Sequence, residues 1–360
     1  MVTHNFEDDE LQENLTVAVE GQNLIKASLF NMIVIADSVQ RALHCQELVR
    51  LVTEKFPCRV IFVQSDESSQ ADFFHTEHTL QSIGTGTNRV CFDQFIIESS
   101  INQLHKVPFL ILPNIMPDLP VYILLGHDPT LDRVILPQLQ KDANRVIFDA
   151  ESIDNVQRFS ERMLAAIHDK HTDFIDVNWA RTKAWREVLA RVFNDRDKLD
   201  RLDQSKLIQI SFAGRTIQPQ PKNEIQAIYL QAWLASQLGW NLLNVEKEDG
   251  FLRLSYRAGQ MPITVSLVPK DTDALEPGAV FSVEVMTHND SHFLISHERE
   301  RQHVAVHSST TERCEMPYTL FLSNFQRGTA LVNEIFYQPL SEHYQGMLQA
   351  LNHAAWGQSL

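Results

Sequence analysis

The strongest constraint on the fold of this chain is the alternation of apolar strands and helices in its first half. Phe30–Ala36 is an apolar run, the pattern of a strand covered on both faces. Asp37-Ser38 follows as a helix N-cap, and Cys45, Leu48, Val49, Val52 and Phe56 recur at helical spacing until Pro57 stops the helix. Arg59–Gln64 reads as the next strand. Further strands are expected at Phe74–Ile83 and Asn88–Ile97, either side of a Gly84-Thr85-Gly86-Thr87 turn, and at Val121–Leu125 and Val146–Phe148. The stretch Leu131–Lys141 between the last two reads as helical. This rhythm predicts a mostly parallel sheet with crossover helices.

From 151 to 203 the pattern is helical, with expected helices at Ile153–His168 and Asn178–Asn194. In the second, Trp185, Val188, Leu189 and Val192 make an apolar stripe, while Trp179, Lys183 and Arg186 share a neighbouring face. Charge reverses here: Arg181–Arg201 holds seven basic and four acidic residues. The last third reads as a strand near Leu207–Phe212, a loop at Gly214–Pro221, and an amphipathic helix. That helix carries Ile225, Ile228, Tyr229, Ala232 and Trp233 on one face and ends at Gly239. Short strands follow at Phe251–Tyr256, Ile263–Val268, Val280–Met286, His292–Ser296, His303–His307 and Pro317–Leu322, spaced like an antiparallel meander. Helices Thr329–Phe336 and Ser341–Ala355 close the chain. The expected organisation of the 360 residues is an acidic segment 1–27, a Rossmann-like α/β domain 28–175, a helical connector 176–204 and an α+β domain 205–360.

Composition removes several functional classes. The chain has 31 basic and 46 acidic residues, a net charge of −15, which argues against a nucleic-acid surface. Met1–Glu13 is acidic and lacks a secretory pattern, and apolar runs fall far below the ~20 residues of a membrane-spanning helix. Cys45, Cys58, Cys91 and Cys314 share no CxxC spacing and are expected to be buried or neutral thiols in a reducing, cytoplasmic setting.

Tests for chemistry find no catalytic residue, cofactor motif or metal site. A ligand crevice would lie beyond the carboxyl ends of the parallel strands, around Asp37, Gly126, His127 and Asp149. The turn after the first strand, Ala36-Asp37-Ser38-Val39, has an acid where a dinucleotide site needs glycine, so Asp37 and Asp149 read foremost as capping and strand-end residues. His288, His292, His297, His303 and His307 form the densest histidine group, near Glu298 and Glu300, and read foremost as the solvent face of an antiparallel sheet.

Four segments resemble the OpcA family of glucose-6-phosphate dehydrogenase assembly proteins. They are Asn31–Ala36 with its helix and Phe56–Ile61, then Leu112–Tyr122 with Pro117-Asp118-Leu119-Pro120-Val121, then Arg145–Ala150, and then Asp176–Glu187 with Asn178-Trp179-Ala180-Arg181 and Trp185-Arg186. Ala232–Trp240 also resembles the family in the matching order. The likeness is collinear from about 28 to 257. It departs at Ile123-Leu124-Leu125-Gly126-His127, where many relatives have aromatic residues; some relatives are linked to redox control through cysteines, and the cysteines here have no paired spacing.

This resemblance implies a non-enzymatic partner of glucose-6-phosphate dehydrogenase that aids its assembly or activity in the oxidative pentose phosphate pathway. It implies no cofactor, and it leaves the oligomeric state of the chain open. Trp179, Arg181, Lys183 and Arg186, on the basic helical region, and Asp118, held between two prolines, are the expected partner-binding residues. The alternative is a sugar-phosphate- or nucleotide-binding α/β protein, or an enzyme, using the crevice at the sheet's carboxyl edge around Asp37, Gly126, His127 and Asp149.

Overall fold

A computed structural model describes residues 25–66, 72–84, 89–132, 134–153, 155–168, 172–214, 224–248, 250–272, 275–297, 303–321 and 341–358. The chain divides into two compact units, Met1–Ile147 and Phe148–Leu360. The division falls earlier than the expected boundary at 175/176. The reason is that helix Val156–His168 packs against the C-terminal helix Glu342–Leu351 and so belongs to the second unit. Most of the acidic segment 1–27, the turn residues 85–88, the loop 215–223 and the expected helix Thr329–Phe336 lie outside the described residues.

The first unit is built on β1 (Ile25–Lys26), β2 (Asn31–Ala36), β3 (Arg59–Asp66), β4 (Phe74–Ile83), β5 (Val90–Ser100), β6 (Val121–Leu125) and β7 (Arg145–Phe148). Their order is β1-β5-β3-β2-β6-β7, with β4 on β5. The pairs β2–β3, β2–β6 and β3–β5 are parallel and β4–β5 is antiparallel, which gives the expected Rossmann-like sheet. Every residue of β2 is buried, as its apolar run requires. Helix α1 (Val39–Thr53) packs on β2 and β3 and is capped by Ser38, whose side chain accepts from the Arg41 N–H.

Two polar anchors organise this unit. Asn31, fully buried, donates from Nδ2 to the carbonyls of Met116 (3.0 Å) and Leu119 (3.2 Å) and accepts from Met116 N–H (2.9 Å), fixing the Pro117–Pro120 loop. Asp93 on β5 receives Lys26 at 2.9 Å, Arg59 at 2.7 Å and His78 at 3.1 Å. Burial alone would raise its pKa, but Lys26 and Arg59 hold the carboxylate below its usual range. After Ser100 come a 3-10 turn, helix α2 (Val107–Ile111) and, past β6, a single helical turn α3 (Leu136–Leu139). The helix expected over 131–141 is thus largely loop. Asp128 accepts from Thr130 N–H (2.8 Å), and Asp132 accepts from Val134 and Ile135 N–H (3.0 Å each), local bonds that compete with helix.

The second unit begins with α4 (Val156–His168), β8 (Asp173–Asp176), α5 (Val177–Arg181), α6 (Lys183–Val192) and α7 (Arg196–Asp203). One helix was expected over 178–194, and two form. The Thr182 hydroxyl donates to the Trp179 carbonyl at 2.9 Å and accepts from Arg186 at 2.6 Å, so the helix breaks there. Next come β9 (Ser205–Ala213), α8 (Ile225–Leu238), β10 (Asn241–Glu248), β11 (Phe251–Ala258) and β12 (Met261–Lys270). Strands β13 (Val280–Thr287), β14 (His292–His297), β15 (His303–Ser309) and β16 (Tyr318–Phe321) precede α9 (Glu342–Leu351).

The eight-stranded sheet runs β10-β11-β12-β9-β13-β14-β15-β16. It is not a pure meander: β9 sits in the middle, parallel to β12 and antiparallel to β13. Helix α8 lies on β9 and β12 and also meets α5 and α9. It was expected to be amphipathic, yet its residues from Ile225 to Ala235 are all buried, Gln226 and Gln231 included. Gln231 is accommodated by accepting the Tyr256 hydroxyl at 2.5 Å, and Gly239 ends the helix at φ 65°, a conformation glycine adopts without strain.

Cys45, Cys58 and Cys91 are buried, and burial pushes the Cys58 thiol up. Cys314 is exposed instead, because it lies in the turn between β15 and β16. No helix of the described residues is long and apolar enough to cross a membrane.

Replacing Asn31 by Ala leaves the Met116 N–H and two carbonyls without their buried partner. The expected loss is about 2–3 kcal/mol, read as a lower urea midpoint at unchanged slope.

Candidate functional site

The polar residues most tightly brought together in the second unit surround the segment 176–186. Asp176, the last residue of β8, caps α5, with Oδ1 accepting the Asn178 N–H at 2.9 Å. Its Oδ2 accepts the hydroxyls of Tyr229 on α8 (2.6 Å) and Tyr344 on α9 (3.3 Å). Asn178 then donates from Nδ2 to Asp149 Oδ1 at 2.6 Å. Asp149 in turn caps the turn 150–152 by accepting Glu151 N–H at 2.9 Å. Arg181 closes the chain of contacts, with Asn178 Oδ1 and Glu151 Oε1 both at 3.2 Å and Asp149 at 4.0 Å.

Two carboxylates are therefore buried together, with one guanidinium near Asp149. Burial pushes the Asp176 carboxyl up to about 7, and the neighbouring Asp149 charge adds to the rise, against the bonds from Tyr229 and Asn178. Burial beside Asp176 also raises both tyrosine hydroxyls well above their ordinary value.

The expected partner-binding residues are distributed as follows. Trp179 is only 8% exposed, 5.4 Å from the Tyr344 ring, and the Arg186 guanidinium lies 3.4 Å over its indole. Arg186 also donates to the Trp179 carbonyl at 2.7 Å. The indole is therefore a core group of this unit, with Arg186 over its ring and Tyr344 tilted against it, and it is not offered at the surface. Arg181, Lys183 and Arg186 are half-buried. Part of the local positive charge is consumed internally: Lys198 sits over Tyr318 at 5.4 Å and Arg201 lies 3.7 Å from Glu315. Arg191 and Arg196 are exposed. Asp118 belongs to the first unit and is exposed on the loop that Asn31 clamps.

The alternative crevice residues fall in both units, Asp37, Gly126 and His127 in the first and Asp149 in the second. Asp37 and Gly126 follow β2 and β6 in the first unit, but the space at Gly126 is taken. Its N–H donates to Ile35 O at 2.8 Å, and a Cβ there would stand 2.9 Å from Cys45 Sγ. Glycine is needed for this close approach of α1. His127 pairs with Asp132 at 3.2 Å, and its Nδ1 is buried without a partner. Asp149 belongs to the second unit and is committed to Asn178 and Arg181. Of the histidine group, His292 meets Glu284 at 2.7 Å on β13–β14. Among the described residues no set of three or more His, Cys, Asp or Glu could hold a metal ion, and Glu298 and Glu300 lie outside them.

In the sequence Tyr229 is placed only on the apolar face of its helix and Asp176 only at the start of a family-like segment, and Tyr344 is given no role. The Asp-Val-Asn stretch before a helical pattern was an available N-cap signal. Tyr229 and Tyr344 stand 53 and 168 residues from Asp176 and left no linear trace.

Comparisons with known proteins fit this layout. Residues 49–165 match the family model described as glucose-6-phosphate dehydrogenase subunit N-terminal domain, and residues 172–317 match the corresponding C-terminal domain. A protein of Synechococcus elongatus that carries the provisional name OxPP cycle protein OpcA is 22% identical over 207 residues, 56% of this chain and 44% of that protein. Its namesake in Synechocystis sp. is 22% identical over 198 residues, 54% of this chain and 40% of that one. The match thus spans less than half the length of these curated relatives. In fold, the chain is similar to the probable oxidoreductase yhhX, with a TM-score of 0.51 at 9% identity, over 92% of this chain and 97% of that one.

The raised Asp176 carboxyl makes stability fall as pH rises. Between about pH 4 and 7 the unfolded chain releases this proton and the folded chain keeps it, so the contribution is complete below the unfolded value and lost through the folded one. Asp176→Asn retains a capping side chain without the charge. Urea titrations should therefore show the variant gaining on the parent from pH 4 to 7, by up to roughly 4 kcal/mol, and holding level above.

Proposed function

Because this chain belongs to the OpcA family of glucose-6-phosphate dehydrogenase subunits, with matches in order over both of its units, we infer that it is a non-enzymatic partner of that dehydrogenase. It assists assembly or activity of the enzyme by protein contact, in the cytoplasm, at the entry to the oxidative pentose phosphate pathway. The observation that carries this reading is the collinear family match. The geometry supports it, since the polar residues of segment 176–186 are bonded to one another and hold α5 in place.

Two separate surfaces are the contact candidates. One is the exposed Asp118 on its clamped loop. The other comprises the half-buried Lys183 and Arg186 with the exposed Arg191 on α6. A partner shifts the oligomeric or conformational equilibrium of an enzyme only by binding one state better, and ~1.4 kcal/mol of preference changes the ratio tenfold.

The test is size-exclusion chromatography of this chain with the dehydrogenase from the same organism, with activity assayed across the peak. Co-elution with raised activity is expected. Charge inversion by Lys183→Glu with Arg191→Glu, or by Asp118→Lys, should weaken the complex about tenfold or more. Trp179 stays in place, because truncating a buried tryptophan costs about 3–5 kcal/mol of fold stability. Separate elution with unaltered activity would overturn the partner reading. Turnover of glucose 6-phosphate by the isolated chain would overturn the non-enzymatic one.

A further inference from the structure

Strand β4 is an outer strand of the first unit's sheet. It pairs with β5 in an unbroken antiparallel register, from Phe74 opposite Ser99 to Ile83 opposite Val90. The opposite side of β5 is taken by β1 at Val90 and Cys91 and by β3 from Gln94 onward. Among the described residues no strand pairs with the outer side of β4. Alternate backbone N–H and C=O groups along its ten residues therefore point outward as a template for another strand.

Edges that stay single carry devices against pairing, such as charge, proline, a bulge or shortness. The second unit's sheet has them. Its edge strand β10 is bulged between Leu242 and Asn244 and carries the exposed Glu246 and Lys247, and the other edge, β16, has four residues. Strand β4 has none of these devices beyond a single charge. It holds no proline, glycine, lysine or arginine, and Glu77 is its one acid. His75, Glu77, Gln81 and Ser82 are exposed, and Phe74 is 36% exposed.

We propose that β4 pairs antiparallel with β4 of a second copy, about a two-fold axis normal to the sheet, so that two first units share one continuous sheet. The register selects this occupant. Such an axis sets same-face residues opposite each other, so two registers pair nine of the ten residues, one centred on His78 and one on Thr79. The first opposes two His78 rings, each already on its own Asp93, and sets the two Glu77 side chains only ~7 Å apart along the seam. The second opposes Thr79 to the partner's Thr79, His78 to the partner's Leu80, Thr76 to the partner's Ser82 and His75 to the partner's Ile83. Glu77 then faces the partner's Gln81. The two Glu77 carboxylates stand ~14 Å apart along the seam, beyond the ~8 Å Debye length of physiological salt. Glu98, the next acid inward on that face, sits behind His75. Under a two-fold axis this strand offers hydroxyl to hydroxyl and amide to carboxylate, which fits it to a copy of itself.

The experiment uses the full chain alone, so its result does not depend on the dehydrogenase reading. Sedimentation from submicromolar to high micromolar concentration should show the mass of two chains. A micromolar dissociation constant is expected, since one strand edge buries less than the ~800 Å² per partner of a standard interface. Gln81→Glu, at an exposed side chain, sets a carboxylate against Glu77 twice and should raise that constant about tenfold, whereas Gln81→Lys should lower it by about the same factor. Circular dichroism should be unchanged in both. In a Cys314→Ser background, which removes the exposed thiol, Thr79→Cys should give a disulfide-linked pair on oxidation. Facing residues of an antiparallel pair hold their Cα atoms ~4.5–5.5 Å apart, within disulfide reach. His75→Cys, whose counterpart lies about eight residues, or ~27 Å, along the seam, should not. A parent that sediments as one chain throughout overturns the proposal. So do dimers indifferent to both Gln81 substitutions, or a Thr79→Cys pair that forms no faster than one from His75→Cys. If the parent stays single while folded Gln81→Glu loses the dehydrogenase complex, the edge takes a strand of that enzyme and pairing of copies is likewise overturned.

Discussion

The second unit depends on one buried carboxyl group. Asp176 joins the end of β8 and the start of α5 to α8 and α9 through the hydroxyls of Tyr229 and Tyr344. A polar group removed from water is tolerated only when its bonds are satisfied in place. This one is satisfied by groups from elements far apart in the chain, so their positions are tied to each other. The nearby Asp149 charge adds to the cost of ionising Asp176, and Asp149 is itself held by Asn178 and Arg181.

The first unit uses the same principle differently. Asn31 is the one polar residue of β2, and its amide group matches the backbone groups of a loop bounded by Pro117 and Pro120. The prolines restrict the loop, and Asn31 fixes where it sits, so Asp118 is presented on a rigid lead-in to β6. Asp93 gathers Lys26, Arg59 and His78 from three strands around β5. These anchors stand where a purely apolar sheet would leave register and loop position less determined. At the opposite ends of the strands, Gly126 permits the close approach of α1, where an added Cβ would stand 2.9 Å from Cys45 Sγ.

The strand and helix rhythm of the first unit was legible because a strand buried on both faces is apolar almost throughout, and β6 and, past Asn31, β2 follow that rule. The strands of the second sheet were legible by alternation. The helix expected over 131–141 was misread because Asp128 and Asp132 bond to nearby backbone, and a periodicity argument does not weigh that competition. The break at Thr182 escaped for the same reason. Helix α8 reads as amphipathic from the apolar face of Ile225, Ile228, Tyr229, Ala232 and Trp233, yet Gln226 and Gln231 are buried too once the sheet and two helices surround it.

The sequence by itself determined the class of the fold, the order of most elements and the family likeness, since these follow from local periodicity and from contiguous motifs. It also marked Trp179, Arg181, Lys183 and Arg186 as a group. Only the tertiary structure shows where that group sits: Trp179 is buried with Arg186 over its indole and Tyr344 beside it, and Arg181 turns to Asn178 and Glu151. The same holds for β9, which enters the centre of the second sheet rather than its edge. Burial and partnership are properties of contacts between distant segments, and linear spacing carries no record of which segments will meet.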